Sequence, residues 1–447
     1  MGISSKTRPL NREGFHRALA ALLSPTDPSS CVIAYSGGVD SHVLLHLCVS
    51  LGLPVRAVHV HHGLQAAADD WVDHCQRVCD ALDVGLQVCR IDARARRGDS
   101  PEAAAREARY LALSQALSDD EILLLGQHKN DQAETVLLQM LRGSGVAGLA
   151  AMPAQSRLHG GQPMLRPLLG FSRRQIEHYA RRHRLDWVED PSNRQTHLRR
   201  NALRQHIVPA LEEYWPQAVE SLHQLAARQQ DAQLLLDDLA QIDLARCIGH
   251  APERLQVLPL RGLPPRRRFN LLRYWLHARG TRPNRRCLEQ IVRTVLTAAG
   301  DAAPVVKWGA HELRRFNGEL YLLQQADTVA LTAEYPWQPG REALRIDALG
   351  SSLHIVTGVS GALDARWLQQ PLRVCFRRGG EKIAVTAAQH RQSLKKLFQQ
   401  AAIPPWQRQR IPLLYHGNEL LAVCGHWLSA PHCVSRGEDG WMPRLQA

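Results

Sequence analysis

The residues best suited to chemistry begin with Ser36-Gly37-Gly38-Val39-Asp40-Ser41, set between an apolar run, CVIAY, and a helical pattern, SHVLLHL. Two glycines let the backbone turn tightly and bring its N–H groups against an anion. Ser36 and Ser41 add hydroxyl donors, and the N-terminus of the following helix favours negative charge. Such a loop suits pyrophosphate. Asp40 would repel bare phosphate, so in a functional loop it holds a Mg²⁺ that bridges to the phosphates. The bland alternative is a Gly-rich strand-to-helix turn capped by Asp40. Five specified residues at roughly 7% usage each would arise by chance on the order of 10⁻³ times in such a chain. The string lacks the Gly-Lys-Ser/Thr ending of a Walker loop.

A second constellation lies in GQHKNDQAETVLLQMLRGSG. A strand ending at Gly126 and a helix starting near Asp131 would put His128, Asp131 and Glu134 at the carboxyl edge of a sheet, where doubly wound folds bind ligands. Asp131 and Glu134, three residues apart, then share one helix face. Asp131 serves equally well as a helix cap, and His128 as a satisfied strand-end histidine, which leaves Glu134 the stronger candidate. Taken by themselves, Arg106, Arg109 and Tyr110 in EAAAREARY read as a solvated helix surface paired with Glu102 or Glu107.

These residues need a scaffold, and residues 31–125 supply its rhythm. The short runs CVIAY, PVRAVHV, LQVCRID and EILLLG alternate with amphipathic stretches, one of them opened by Pro101. That pattern predicts an α/β domain with a doubly wound parallel sheet. After residue 193 long helical patterns predict a helical middle domain, and from about residue 350 short strand-like segments between Gly and Pro predict a small α+β C-terminal domain. The expected division is 1–215, 216–345 and 346–447.

Composition narrows the partners. The 447 residues carry 55 Lys and Arg against 42 Asp and Glu, a net charge of +13, which favours nucleic acid or an anionic surface. No run of 18 apolar residues and no secretory signal appears, so a cytoplasmic protein away from membranes is expected. Ten scattered cysteines include no Cys-x-x-Cys pair, which predicts reduced thiols and no structural metal. Residues 366–410 hold ten Lys and Arg and the single acid Glu381, with Phe376, Phe398 and Trp406 between them. Such a stripe either tracks a nucleic-acid backbone while its aromatics stack on bases, or is a solvated basic face.

The glycine loop resembles that of the N-type ATP pyrophosphatases, the PP-loop superfamily, which cleave ATP between the α and β phosphates and adenylate a carbonyl oxygen. Further strings resemble the tRNA(Ile)-lysidine synthetases, in that family's order. They are VHVHHGL at residues 58–64, the GQHKNDQAET segment, and WVEDPSN at 187–193 followed by Arg200-Asn201 and Arg204. The C-terminal strings around Arg377-Arg378, Lys395-Lys396, Pro405-Trp406 and PLLYHG complete the set. His61, Gln65, Gln127 and Asn130 depart from the usual residues. The resemblance implies ATP and Mg²⁺ as cofactors, with Ser36–Ser41 binding ATP and Asp40 the metal. It implies catalytic work for Asp40, Arg106, Arg109, His128, Asp131 and Glu134, and tRNA contacts for Arg200, Arg204, Arg377, Arg378, Lys395 and Lys396. The implied partners are free L-lysine and isoleucine tRNA with a CAU anticodon, in a monomer or homodimer. A tRNA thiolase is the nearest rival, opposed by the lack of paired cysteines. A tRNA-binding protein without turnover is opposed by the intact loop.

Overall fold

The computed structural model describes residues 9–23, 30–61, 68–91, 101–158, 160–191, 198–299, 302–340, 342–386, 390–435 and 437–446. The chain divides into two compact units, Met1–Leu236 and Asp237–Ala447.

The first unit is built on six strands: β1 (Ser30–Ala34), β2 (Val55–His61), β3 (Leu86–Arg90), β4 (Glu121–Leu124), β5 (Gln155–Arg157) and β6 (Pro163–Leu165). Their order is β3-β2-β1-β4-β6-β5. All pairings are parallel except β5 with β6. β4 is buried at every residue, as expected of a parallel strand covered on both faces. Helices α1 (Arg12–Ala20), α2 (Val39–Ser50), α3 (Ala68–Ala81) and α4 (Pro101–Ala116) cover the sheet, with Pro101 opening α4 as expected. α2 buries Val43, Leu44, Leu45, Leu47 and Cys48 against the sheet and α1. Arg56 on β2 reaches across β1 to Glu121 at the start of β4, donating from Nε at 2.6 Å and from Nη2 at 2.6 Å.

Strand order places the site. The chain leaves β1 for β2 on one side, then comes back to β4 on the other, so the crevice between the carboxyl ends of β1 and β4 is the topological switch point. Above it stand α5 (Lys129–Leu141), the short α6 (Val146–Leu149) and α7 (Arg173–Arg182). α8 (Arg199–Ala202) runs through a π turn, Leu203–Ile207, into α9 (Val208–Tyr214), and the long α10 (Ala218–Cys247) follows. Leu203, Val208 and Val219 pack on Ala133 and Leu137 of α5, which fixes this arm over the crevice.

The second unit holds more sheet than the helical pattern of its sequence suggested. Besides α11 (Val257–Gly262), α12 (Pro265–His277) and α13 (Arg285–Gln290), it contains β7 (Leu255–Gln256), β8 (Val305–Trp308), β9 (His311–Phe316) and β10 (Glu319–Gln324), in the order β7-β10-β9-β8. Trp275, Leu271, Val295, Leu313 and Leu320 close that core. Nearer the C-terminus, β11 (Tyr335–Trp337), β14 (Leu372–Cys375), β17 (Leu413–His416), β18 (Glu419–Val423) and β19 (Trp427–Leu428) form one sheet. β12 (Leu344–Ile346), β13 (Ser351–Ser360) and β20 (Asp439–Gln446) form another, and β15 (Lys382–Ile383) pairs with β16 (Gln392–Ser393). α14 (Leu394–Gln400) and α15 (Pro405–Arg408) pack beside them.

Gly126, just past β4, runs against the start of α2. A Cβ there would lie 3.0 Å from the Asp40 carbonyl carbon and 3.1 Å from both the Asp40 oxygen and the Ser41 nitrogen. All three are backbone atoms and cannot rotate away. Gly126→Ala is therefore expected to cost about 1–3 kcal/mol in urea unfolding. Gly170→Ala, where a Cβ would meet nothing within 4 Å, should change stability little.

Candidate active site

The glycine loop is shaped by its own side chains. Gly37 takes φ +81°, a left-handed conformation that favours glycine, and a Cβ there would sit 3.1 Å from Cys75 Sγ. Ser41 Oγ donates to the Gly38 carbonyl at 3.0 Å and accepts from the Ser36 amide at 3.2 Å. Gly38 is the N-cap of α2 and supplies no side-chain cap, so the first-turn N–H groups are left for an incoming anion. From behind, the Val188 amide donates to the Gly37 carbonyl at 3.0 Å. His42 Nδ1 lies 2.7 Å from the Asp186 carbonyl, which can only accept, so that nitrogen carries the proton. The string at 187–193 thus buttresses the loop. Its last two residues, like residues 62–67 with Gln65, lie outside the described residues.

Across the crevice, α5 begins at Lys129, two residues earlier than the sequence suggested, because His128 is its N-cap. His128 Nδ1 accepts from the Asp131 amide at 3.4 Å while the Asp131 carboxylate accepts from the His128 amide at 3.0 Å, a reciprocal capping box. The capping alternative for Asp131 is therefore real. With Nδ1 accepting, the His128 proton sits on Nε2, 3.5 Å from both Asp40 Oδ1 and Asp131 Oδ2. Glu134 lies one turn further on, 1% exposed.

Arg200 and Arg204 close over this acidic wall. Arg200 Nε donates to Glu134 Oε2 at 2.7 Å and its Nη2 to Asp131 Oδ1 at 3.2 Å. Arg204 Nε donates to Glu134 Oε1 at 2.7 Å and its Nη2 to Asp131 Oδ1 at 3.1 Å. The resemblance implies tRNA contacts for both, and in this structure both guanidiniums bond to carboxylates that line the cavity. Burial raises the Asp131 carboxyl, but His128, Arg200 and Arg204 outweigh it and hold it below the usual carboxylate range. Asp40 goes the other way. Burial, reinforced by Asp131, pushes it up against the opposing pull of His128, Arg173 and Arg204. Its Oδ1 is buried and accepts no hydrogen bond, the state expected of a carboxylate oxygen that serves a divalent cation.

Arg106, Arg109, Tyr110 and Gln127 form the opposite wall. Arg106 Nη2 donates to the Tyr110 hydroxyl at 3.3 Å and its guanidinium lies 5.1 Å from the ring centre. Behind them is a residue that sequence reasoning missed. Arg166, 4% exposed, donates from Nε to Gln127 Oε1 at 2.7 Å and from Nη1 to the Pro153 carbonyl at 2.7 Å and Ser156 Oγ at 3.0 Å. One charge inside the apolar run MLRPLLG was its signal. Asn130, the other departure in this segment, accepts from the Arg173 amide at 3.0 Å and so ties α5 to the start of α7.

These walls enclose a cavity of about 980 Å³, lined also by Val58, Val60, Trp187, Glu189 and Asn201. That is room for a nucleotide with a second substrate beside it.

The C-terminal basic residues divide. Arg377 lies 3.4 Å from Glu381, and Arg378 donates to Glu334 at 2.6 Å. Lys395 and Lys396 stand exposed on α14. The aromatics expected to stack on bases do not face solvent: Phe376, Phe398 and Trp406 are 2%, 0% and 6% exposed. Their hydrophobic surface closes the core, and Trp406 packs edge-on against Phe316 and Tyr321. No helix among the described residues is long and apolar enough to cross a membrane.

The switch-point cavity and its serine–glycine loop are those of an ATP-using PP-loop domain, and the PP-loop domain model matches residues 11–211. Models described as the TilS substrate binding domain and the TilS substrate C-terminal domain match residues 255–321 and 372–446. The tRNA(Ile)-lysidine synthase of Coxiella burnetii is 39% identical over 438 residues, 96% of each chain. That of Pseudomonas aeruginosa is 42% identical over 439 residues, 95% of each chain. The chain belongs to the tRNA(Ile)-lysidine synthase family.

The two aspartates should respond oppositely to neutralisation. The folded pKa of Asp40 is raised, so its ionisation opposes folding as pH climbs past the ordinary carboxylate value. That of Asp131 is lowered, so it stabilises above that value and the contribution is lost as pH falls through the folded pKa. In chelator-treated buffer at pH 7, Asp40→Asn should melt at or above the parent temperature and Asp131→Asn below it. The Asp40 difference should shrink toward pH 4 in a melting series, while the Asp131 difference should persist there and fade only at lower pH.

Proposed function

We propose that this chain ligates the ε-amine of free L-lysine to C2 of the wobble cytidine of isoleucine tRNA bearing a CAU anticodon. ATP is converted to AMP and pyrophosphate, and the product lysidine switches the tRNA from methionine to isoleucine decoding. The observation that carries this reading is one cavity lined by both a loop suited to phosphate and a paired acidic wall, joined by His128. Its family membership supports the same reaction.

In this account the open N–H groups of Gly38 and Val39, with Ser36 and Ser41, hold the β and γ phosphates. Asp40 suits a Mg²⁺ bound with ATP, whose charge would offset that developing on pyrophosphate. Arg106 and Arg109 face the α phosphate as the cytidine O2 attacks it. Asp131 and Glu134 draw the lysine ammonium, and His128, held by its cap to Asp131, keeps that wall in register with Asp40. Arg200 and Arg204 work inside the cavity, holding the two carboxylates until the ammonium takes their place and the guanidiniums turn to the phosphates. The region 346–447 contributes to tRNA binding, chiefly through Lys395 and Lys396, while Arg377 and Arg378 shape its surface through Glu381 and Glu334. Its place of work is the cytoplasm, where its tRNA is found.

Nucleoside mass analysis of tRNA incubated with the protein, ATP and lysine should show lysidine in the parent and none with Asp40→Asn. Turnover by Asp40→Asn within a few-fold of the parent would exclude the loop from the chemistry. Separately, Lys395→Gln with Lys396→Gln should weaken tRNA binding and reduce the salt slope of log K by roughly 0.7–0.9 for each phosphate no longer neutralised. An unchanged slope in filter binding across a salt series would make these lysines solvated surface.

A further inference from the structure

The hydroxyl of Tyr110 sits in an unusual electrostatic setting. Its ring is packed on the sheet beside Val32, Val58 and Leu113, so the oxygen is held at the cavity wall. Arg106 reaches it from the same helix at 3.3 Å, and Gln127 and Arg166 reach it from beyond β4 and β6. Arg166 is purely a donor and its Nε–H occupies Gln127 Oε1, which turns the Gln127 amide NH₂ toward the other side of that network. The phenolic oxygen therefore faces donors. The charged groups around it are Arg106, Arg109 and Arg166, all cationic. A neutral phenol hydroxyl is poorly matched to such a ring, and an ionised one is well matched. Burial favours the neutral form, but the arginines and the donors outweigh it, so the group titrates below the ordinary range of a phenol.

Lysine enters as an ammonium, and its nitrogen has no lone pair until a proton leaves. We propose that the Tyr110 oxygen, ringed by Arg106, Arg166 and Gln127, accepts that proton and so is a catalytic residue of the lysine-transfer step. This rests on the lysine-ligation reading above. The ammonium gives one proton to the Tyr110 phenolate. The freed lone pair forms the N–C2 bond, and the C2–O bond breaks with its electrons leaving on AMP. The second N–H proton goes to the AMP phosphate, and the third stays on the cationic product. The arginine wall also disfavours an ammonium beside it, so the proton transfer and the move from the carboxylate wall proceed together.

The test separates the two half-reactions. In the parent, tRNA-dependent ATP–pyrophosphate exchange and lysidine formation are measured first. Absence of both overturns the ligation reading and this one with it. Tyr110→Phe should slow lysine transfer about 100-fold or more in single turnover, and depress exchange far less. The loss should be markedly smaller with S-(2-aminoethyl)cysteine, a lysine isostere whose side-chain ammonium is the stronger acid. Equal losses with both amines, or an equal loss of exchange, would overturn the assignment. Should Tyr110→Phe fail to fold, 2,3-difluorotyrosine at position 110 keeps the shape and acidifies the phenol. The acid limb of the transfer rate against pH should then move to lower pH, and an unmoved limb overturns the proposal.

Discussion

Two buried carboxylates meet two half-buried guanidiniums at the carboxyl edge of the sheet, and the carboxylates depend on that pairing. An unpaired buried carboxylate costs on the order of several kcal/mol, so Glu134 and Asp131 can sit in the cavity only because Arg200 and Arg204 stand over them. The same four groups join α5 to the arm that carries α8, the π turn and α9. That arm forms one wall of the cavity, and its position is an electrostatic consequence as much as a packing one. π turns recur at functional sites, where a widened helix re-aims side chains, and here one begins immediately before Arg204.

A second constraint is steric. The loop after β1 and the end of β4 approach so closely that a side chain at 126 would press on the backbone of Asp40 and Ser41, and the loop itself favours glycine at 37. These two positions bring the open N–H groups at the start of α2 and the His128 cap into one crevice. Asp40 is left with a buried carboxylate oxygen that accepts no hydrogen bond, with His128 Nε2 3.5 Å away. That oxygen is poorly served by the protein alone, which is the usual condition of a group kept for a ligand rather than for stability.

The cavity is consequently two-sided. The acidic wall on α5 suits an ammonium, and the wall formed by Arg106, Arg109, Tyr110 and Gln127 suits phosphate oxygens and proton acceptance. Under the proposed reaction, holding a cation, adenylating an oxygen and taking a proton from an amine each has a place. Arg166, out of sight beneath that wall, orients Gln127 and lends charge to Tyr110.

Much of this was legible in the sequence. The glycine loop, the parallel sheet and the site segments 106–110 and 126–134 follow from local patterns, because turn geometry and hydrophobic period are properties of neighbouring residues. His128 as a cap, Arg166 as a support, and the inward turn of Arg200 and Arg204 were not legible. The His128 cap is local but uses a residue type outside the usual cap set. Arg166, Arg200 and Arg204 depend on Gln127, Asp131 and Glu134, 39 to 73 residues away, whose closeness is made only by strand order and helix packing. Phe376, Phe398 and Trp406 illustrate the same limit. Aromatics interleaved with cations read alike whether they stack on bases or fill a core, and burial decided it. The β7–β10 sheet was hidden because short antiparallel strands gain their stability from partners across the sheet, which no local pattern records.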